Sequence, residues 1–390
     1  MTLSVALLSY STKPRGGVVH TLALAEALAA AGARVAVWTL GRDGDKGFFR
    51  PVDPAVELRI VPFPDGPPEE TVGERVLRSI DVLREAFDPD GYDIVHAQDC
   101  ISANAAGRCV RTVHHLDDFT TPELAACHER AIVDPYAHIC VSRAVADELA
   151  DGWGIEAEVI PNGVDHDRFA ATDPAARAKW RKRLGRYVLT VGGIEPRKGS
   201  LDLLEAYALL HERLPGLRLV IAGGETLFDY RDYRARWQER AAQLGVEPVV
   251  LGAVPDSELP PLVAAADAFA FPSTKEGFGL AAMEALSAGV PLVVRDLPVL
   301  REVFGSAARF GATAHGLADE LAAAMAVADP DRREAGHALA ARHTWPAAAD
   351  RHLSFYRSLL REAGRTRGTP AECQSSPTAR DAQPWETSRP

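Results

Sequence analysis

Apolar residues occur along the chain in short runs separated by stretches of helical period. SVALLSY near the start is a compact β-rich run; a turn, STKPRGGVVH, follows it, and then TLALAEALAAAG carries apolar positions at helix spacing until Gly32. The next run, RVAVWTL, reads as a strand again. Strand, turn, helix and strand in that order form a βαβ unit, and parallel strands connected in this way need helices on both faces of their sheet. The fold class is therefore α/β. Further strands are predicted at VELRIVP, YDIVHA, CVRTVHH and AHICVS, with an amphipathic helix over 72–87 and another after Ser142.

From Asp165 to Arg186 the pattern gives way to charged, helix-prone sequence, and a clear strand, YVLTVGG, then starts the cycle afresh. LRLVIAGG, PVVLGAV, AFAFPS and PLVVRD continue it, with SLDLLEAYALLHERL and LAAMEALSAG as helices between strands. With 390 residues the chain exceeds what one core usually organises. The expected division is an N-terminal Rossmann-like domain over 1–168 and a C-terminal Rossmann-like domain over 186–340. A terminal helix over 345–362 would anchor through Trp345, Leu353, Phe355, Tyr356 and Leu359. The polar, proline-rich remainder, 364–390, is expected to be disordered.

Charge narrows the partners. A formal net charge of -11 and a pI of about 5.6 leave no excess of Lys and Arg to neutralise a nucleic-acid backbone. A small anion is still accessible, because a few aimed amides and one lysine can hold it. The five cysteines show neither CxxC pairing nor metal-ligand spacing with histidine, as expected for free thiols in a reducing cytosol. No basic leader precedes the first strand and no apolar run is long enough for a bilayer. The expectation is a cytoplasmic protein, at most peripheral to a membrane. Arg75, Arg78 and Arg84 on one predicted helix are compatible with contact to anionic lipid or with a solvated face.

In open parallel sheets, ligands bind beyond the carboxyl ends of the strands. Gly16 and Gly17 lie in such a place, ahead of a helix, where their amides can approach an anion or simply make a tight turn. The loop lacks GxGxxG, and the second strand ends in Gly41 rather than an acid, which argues against a dinucleotide dehydrogenase. His114 and His115 end one predicted strand and His96 another; each is either a group that orients a hydroxyl or a structural imidazole. Arg197 and Lys198 follow a strand and precede a helix, where positive charge can meet a departing diphosphate. The richest stretch is FPSTKEGFGLAAMEALSAGVP, in which Glu276 precedes a helix starting near Gly279 and Glu284 lies within it. That helix start would aim amides and its positive dipole end at a phosphate.

Taken together these residues resemble the retaining glycosyltransferases of family 4, which have the GT-B fold of two Rossmann-like domains facing each other across a cleft. The resemblance rests on the Gly16-Gly17 loop, Thr112-Val113-His114, Val141-Ser142, Ile160 through Asp165, Arg197-Lys198-Gly199, Ala222-Gly223-Gly224 and Glu276 through Glu284, in the family's order up to about Leu360. The stretch GGETLFDYRDYRARWQERAAQLG also resembles a bacterial subfamily. By resemblance, Gly16 and Gly17 meet the donor diphosphate, His114 lies near the transferred sugar, and Lys198 stabilises the diphosphate with Arg197. Glu276 would bind sugar hydroxyls, the amides of Phe278, Gly279 and Leu280 the sugar or phosphate, and Glu284 the nucleotide ribose. The implied donor is a UDP-, GDP- or ADP-linked sugar, with no metal and no other cofactor; the acceptor would be a small molecule or a lipid. The terminal helix would cross back onto the first domain. One departure stands out: Gly193 occupies the position where the family often has arginine. A nucleotide-sugar epimerase on the same fold and a catalytically silent nucleotide-sugar-binding protein are the alternative readings.

Overall fold

β1 (Ser4–Leu8) is buried along its whole length, as a central parallel strand covered on both faces must be. The computed structural model describes residues 2–42, 44–67, 69–117, 119, 121–224 and 230–368, with side chains to 364. β1 pairs in parallel with β2 (Arg34–Gly41) on one side and, further along the chain, β4 (Ile94–Ala97) on the other. With β3 (Val56–Pro62), β5 (Val110–Val113), β6 (Ala137–Cys140) and β7 (Glu158–Val159) they form a seven-stranded sheet in the order β3-β2-β1-β4-β5-β6-β7. The second sheet has six parallel strands: β8 (Tyr187–Val191), β9 (Arg218–Ala222), β10 (Val249–Gly252), β11 (Ala268–Phe271), β12 (Leu292–Arg295) and β13 (Arg309–Gly311). Its order, β10-β9-β8-β11-β12-β13, reverses beside β8 just as the first reverses beside β1. Each domain thus has a switch point at the carboxyl end of its first strand, where neighbouring loops diverge and leave a crevice.

Local differences from the sequence pattern have simple causes. The first helix begins at Gly16, not after the GGVVH turn, because Arg15 stands extended as its N-cap and the Thr21 hydroxyl donates back to Gly17 O at 2.7 Å. β7 and β13, of two and three residues, are too short to show a period. The charged stretch after Asp165 forms helices His166–Ala170 and Pro174–Leu184. Their Phe169, Trp180 and Leu184 pack in one core with Tyr187, Leu189 and Phe269, so these helices close one side of the second domain.

The last helix, Trp345–Gly368, returns to the first domain, where Ala349, Leu353 and Tyr356 pack with Val5, Leu22 and Val35. The Tyr356 hydroxyl lies 2.6 Å from His96 Nδ1, and His96 Nε2 lies 2.7 Å from Thr112 Oγ1. Both ring nitrogens of His96 are thus taken, and the ring has no exposed surface; it is a structural histidine behind the sheet's rim. The chain passes between domains twice, and the two passages touch. Val164 N donates to His343 O at 2.7 Å, Val164 and Thr344 form an isolated bridge, and a Cβ on Gly163 would overlap the Trp345 backbone at 2.5 Å. Cys100, Cys109, Cys127 and Cys140 are free thiols. The tail expected to be disordered over 364–390 instead begins inside the last helix, whose period runs past 362 to Gly368; 369–390 lies outside the described residues, as do parts of the loops around Asp118 and Leu227.

Candidate functional site in the interdomain cleft

The rims of both sheets line one cleft of about 1950 Å³. On the first-domain side, Gly16 and Gly17 begin a helix whose first amides have no acceptor within the helix. A Cβ on Gly17 would stand 3.9 Å from the His114 ring, so absence of a side chain brings this backbone close to that imidazole; Gly16 faces open space. His114 follows β5 and lies edge-on to His20, centroid to centroid 4.8 Å. His20 is itself hydrogen-bonded through Nδ1 to Asn162 Oδ1 at 2.9 Å. Burial, reinforced by Arg111 and His115, drives the His114 pKa well below its ordinary value and keeps the ring neutral. Its Nε2 is buried without a protein partner among the described residues, and His114 lines the cleft. His115 instead pairs with Asp117, Nε2 to Oδ2 3.1 Å.

On the second-domain side, β8 runs into Gly192, whose φ of 148° favours glycine and where an added Cβ would stand 3.6 Å from the Lys198 side chain. The turn Pro196–Lys198 ends at Gly199, also left-handed, whose α-carbon is pressed against the Pro272 carbonyl. This packing, with Thr274 N donating to Arg197 O at 2.8 Å, ties the loop after β8 to the loop after β11. Lys198 Nζ accordingly reaches Glu276 Oε1 at 2.5 Å and Arg197 Nη1 reaches the same oxygen at 3.2 Å. Burial alone would raise the Glu276 pKa; Lys198 and Arg197 outweigh it and hold the carboxyl at about 2. Arg197 also approaches Glu195, 3.5 Å, and the Lys275 carbonyl, 3.3 Å. Beside them Gly193 and Gly224 leave the floor without side chains, and Gly223 packs on Gly192. No arginine stands at 193, and Arg197 is the guanidinium that joins Lys198 in this cluster.

Gly279, with φ 98°, caps the helix Leu280–Ser287 between the rings of Phe271 and Phe304. Phe278 is 3 % exposed and belongs to the core, so only its backbone is available to a ligand. Glu284 sits one helical turn further on. It does not join Glu276 but faces Arg168, Asp256 and Asp165, and burial with the two aspartates raises its pKa to about 8 against the pull of Arg168. Arg168 is held by Asp256 Oδ2 at 2.8 Å.

The predicted residues Gly16, Gly17, His114, Arg197, Lys198, Glu276, Gly279, Leu280 and Glu284 all line the cleft; His96 does not. Others that line it carry no signal in the sequence pattern: Gln98 just after β4, Arg111 in β5, and Arg15 and Arg42; Asn162, from the stretch Ile160 through Asp165, lines it too. Arg111 and Gln98 are buried and polar, which from sequence alone is indistinguishable from an exposed pair. Among the described residues no three His, Cys, Asp or Glu side chains converge as a metal site, and no helix is long and apolar enough to cross a membrane.

Comparison with known proteins gives a consistent picture. The model for glycosyltransferase family 4 matches residues 14–168 and that for glycosyl transferases group 1 matches residues 173–335. A phosphatidyl-myo-inositol mannosyltransferase of Mycobacterium tuberculosis strain H37Rv is 32% identical over 279 residues, covering 65% of this chain and 68% of that protein. Among solved structures, sucrose-phosphate synthase from Thermosynechococcus elongatus superposes with a TM-score of 0.76 at 20% identity over 92% of this chain and 100% of the other. The HepE protein of Anabaena, in complex with UDP and glucose, gives 0.70 at 20% identity over 91% and 99%.

Proposed function

Because the chain belongs to glycosyltransferase family 4 and is a glycosyltransferase of GT-B architecture, we propose that it transfers a sugar from a nucleoside diphosphate to an acceptor hydroxyl or amine with retention of anomeric configuration. The observation that carries this reading is the Lys198, Arg197 and Glu276 cluster, set on the second rim and facing His114 on the first. As the bond between the anomeric carbon and the diphosphate oxygen breaks, negative charge grows on the leaving group. Lys198 and Arg197 are fixed cations in a partly water-excluded cleft, where they stabilise that charge far more than in bulk water and take the part a divalent metal would otherwise play. The Gly16-Gly17 helix start and the Gly279-Leu280 amides add dipoles of the same sign.

Glu276, anionic at any physiological pH, accepts hydrogen bonds from donor-sugar hydroxyls, and Glu284 accepts from the ribose. The acceptor oxygen or nitrogen bonds to the anomeric carbon on the face the nucleotide leaves, and its proton passes to a donor phosphate oxygen. Neutral His114 lies beside the sugar as a hydrogen-bonding group and not as a cation. The solved relative with UDP and glucose makes UDP-glucose the first donor to try.

A thermal-shift screen against UDP-, GDP- and ADP-sugars tests donor binding, since a ligand of the native state raises its melting temperature. We expect one nucleotide class to do so. NMR of the product then reads its anomer: inversion rejects the retaining mechanism, a donor epimer formed with no acceptor favours an epimerase, and binding without turnover favours a silent binding protein.

A further inference from the structure

His20 takes no part in the transfer described above, yet its ring is held from several sides. It lies in the first helix, Gly16–Ala30, one turn beyond the glycines that start it, and is 1% exposed. Its Nδ1 meets Asn162 Oδ1 at 2.9 Å, across 142 positions of sequence. An amide oxygen only accepts, so the proton sits on Nδ1 and leaves a lone pair on Nε2. That second nitrogen is buried with no partner among the described residues. Burial, with the imidazoles of His114 and His352 beside it, drives the His20 pKa well below its ordinary value and keeps the ring neutral.

Three rings pack around it. His114 stands edge-on, with 4.8 Å between centroids and 80° between planes; Trp345 is edge-on at 5.4 Å and 73°, and His352 is tilted at 6.4 Å. His352 is itself tied through Nδ1 to Ala348 O at 2.7 Å. Asn162 and Trp345 both come from the two passages of the chain between the domains. Asn162 directly precedes Gly163, whose α-carbon is pressed against the Trp345 backbone. The first passage therefore holds His20 by a hydrogen bond and the second by a ring.

His114 lacks a comparable tether. Its Nε2 has no protein partner among the described residues, and Gly17 and Gly277, which pack on its ring and its carbonyl, have no side chain to bond it. A hydrogen bond at one nitrogen normally sets how an imidazole is oriented. Here that bond is made one ring away, on His20, and reaches His114 through an edge-on contact, the geometry that aromatic pairs prefer.

We propose that His20 is a positioning residue: held by Asn162 and Trp345 where the two passages meet, it orients the His114 ring at the sugar site. This rests on the transfer reading above and deepens it, because the set of the His114 ring then depends on how the domains are joined. His20 itself does not line the cleft, so it acts only through His114.

The test uses the full chain with isotope-labelled histidine, as wild type, His20→Phe, Asn162→Ala and the double variant. Phenylalanine keeps a ring beside His114 and removes the nitrogen that meets Asn162. The His114 ring resonances, assigned by their loss in His114→Gln, are read without donor. Cleavage of whichever nucleotide sugar raises the melting temperature is then followed with water as acceptor. We expect kcat to fall about fivefold or more in each single variant, the scale of one edge-to-face ring pair, with KM for the donor within about twofold of wild type. The double variant should be no slower than the slower single one, because both changes break the same link. The His114 resonances should move in Asn162→Ala although another ring stands between the two residues. Unmoved resonances, losses that multiply in the double variant, or a lowered melting temperature with unchanged kcat each overturn the proposal, the last being what a purely structural pair gives. If His20→Phe does not fold, Asn162→Ala carries the same readouts. If no nucleotide sugar binds, the transfer reading fails, and the resonances alone decide whether His20 sets the His114 ring.

Discussion

The α-carbon of Gly277 abuts the carbonyl oxygen of His114, so closely that a methyl group there would overlap it. One residue after the carboxylate of the second rim, the chain thus touches the histidine of the first. Nearby, the Glu302 carboxylate accepts from Arg143 N and Ala144 N at 2.7 and 2.8 Å, a second contact between the domains. The relative position of Glu276 and His114 is therefore set by backbone packing and not by long side chains.

Gly277→Ala should push the rims apart, since the added methyl would overlap His114 O and press on Val141 Cγ2 at 3.1 Å, both on the first domain. We expect turnover to fall about tenfold or more, with a larger radius of gyration by small-angle scattering and each domain still folded by circular dichroism. Wild-type turnover would show this contact to be slack.

Glu276→Gln keeps the shape of the side chain and removes its charge. Transfer should drop by about 10²-fold or more, the scale seen when one preorganised polar group is lost. Its folded pKa of about 2 lies below the ordinary 4.5, so the charge contributes stability above pH 4.5 that is lost as pH falls toward 2. The melting temperatures of wild type and variant should converge across that window; parallel curves would mean that the ion pair contributes nothing.

Glu284 has the opposite sign. With its folded pKa raised to about 8, the native state holds a proton that the unfolded chain releases above pH 4.5, and this contribution to stability declines as pH rises from 4.5 to 8. If ribose hydroxyls donate to its carboxylate, nucleotide binding near pH 7 should release a proton. Calorimetry in buffers of different ionisation enthalpy should detect the release in wild type and not in Glu284→Gln, and equal proton counts would remove Glu284 from the ribose site.

Tyr356→Phe takes away the partner of His96 Nδ1 in a site without solvent. A stability loss of about 1–3 kcal/mol is expected, read by denaturant unfolding, with nucleotide affinity unchanged because the pair stands behind the first sheet. A change in nucleotide affinity would show that the terminal helix acts on the cleft.

Local pattern carried the second rim well. A strand, a glycine turn and a helix start within a dozen residues place Glu276, Gly279 and Glu284, and the same grammar places Lys198. It could not tell that the two glutamates face different neighbours, because Arg168 and Asp256 arrive from elsewhere in the sequence. Nor could it place the histidines: His96 is enclosed by Tyr356, 260 positions away, and His114 lies against Gly17 at a helix start and Gly277 in another loop. Arg75 and Arg78 read as a surface stripe because helical period locates a face without saying what that face meets, here Phe63 and Arg42. The missed β13 and the extended first helix are cases where three residues or one cap decide a boundary.

Both passages of the chain between the domains lie side by side at Val164 and Thr344. Like the spine of a book, the two passages form one seam between the halves, closed by the Val164 to His343 hydrogen bond. Substitutions along that spine reach the cleft as well, because Asn162, Val164 and Thr344 line it, so they would alter how the halves meet and what the pages hold at the same time.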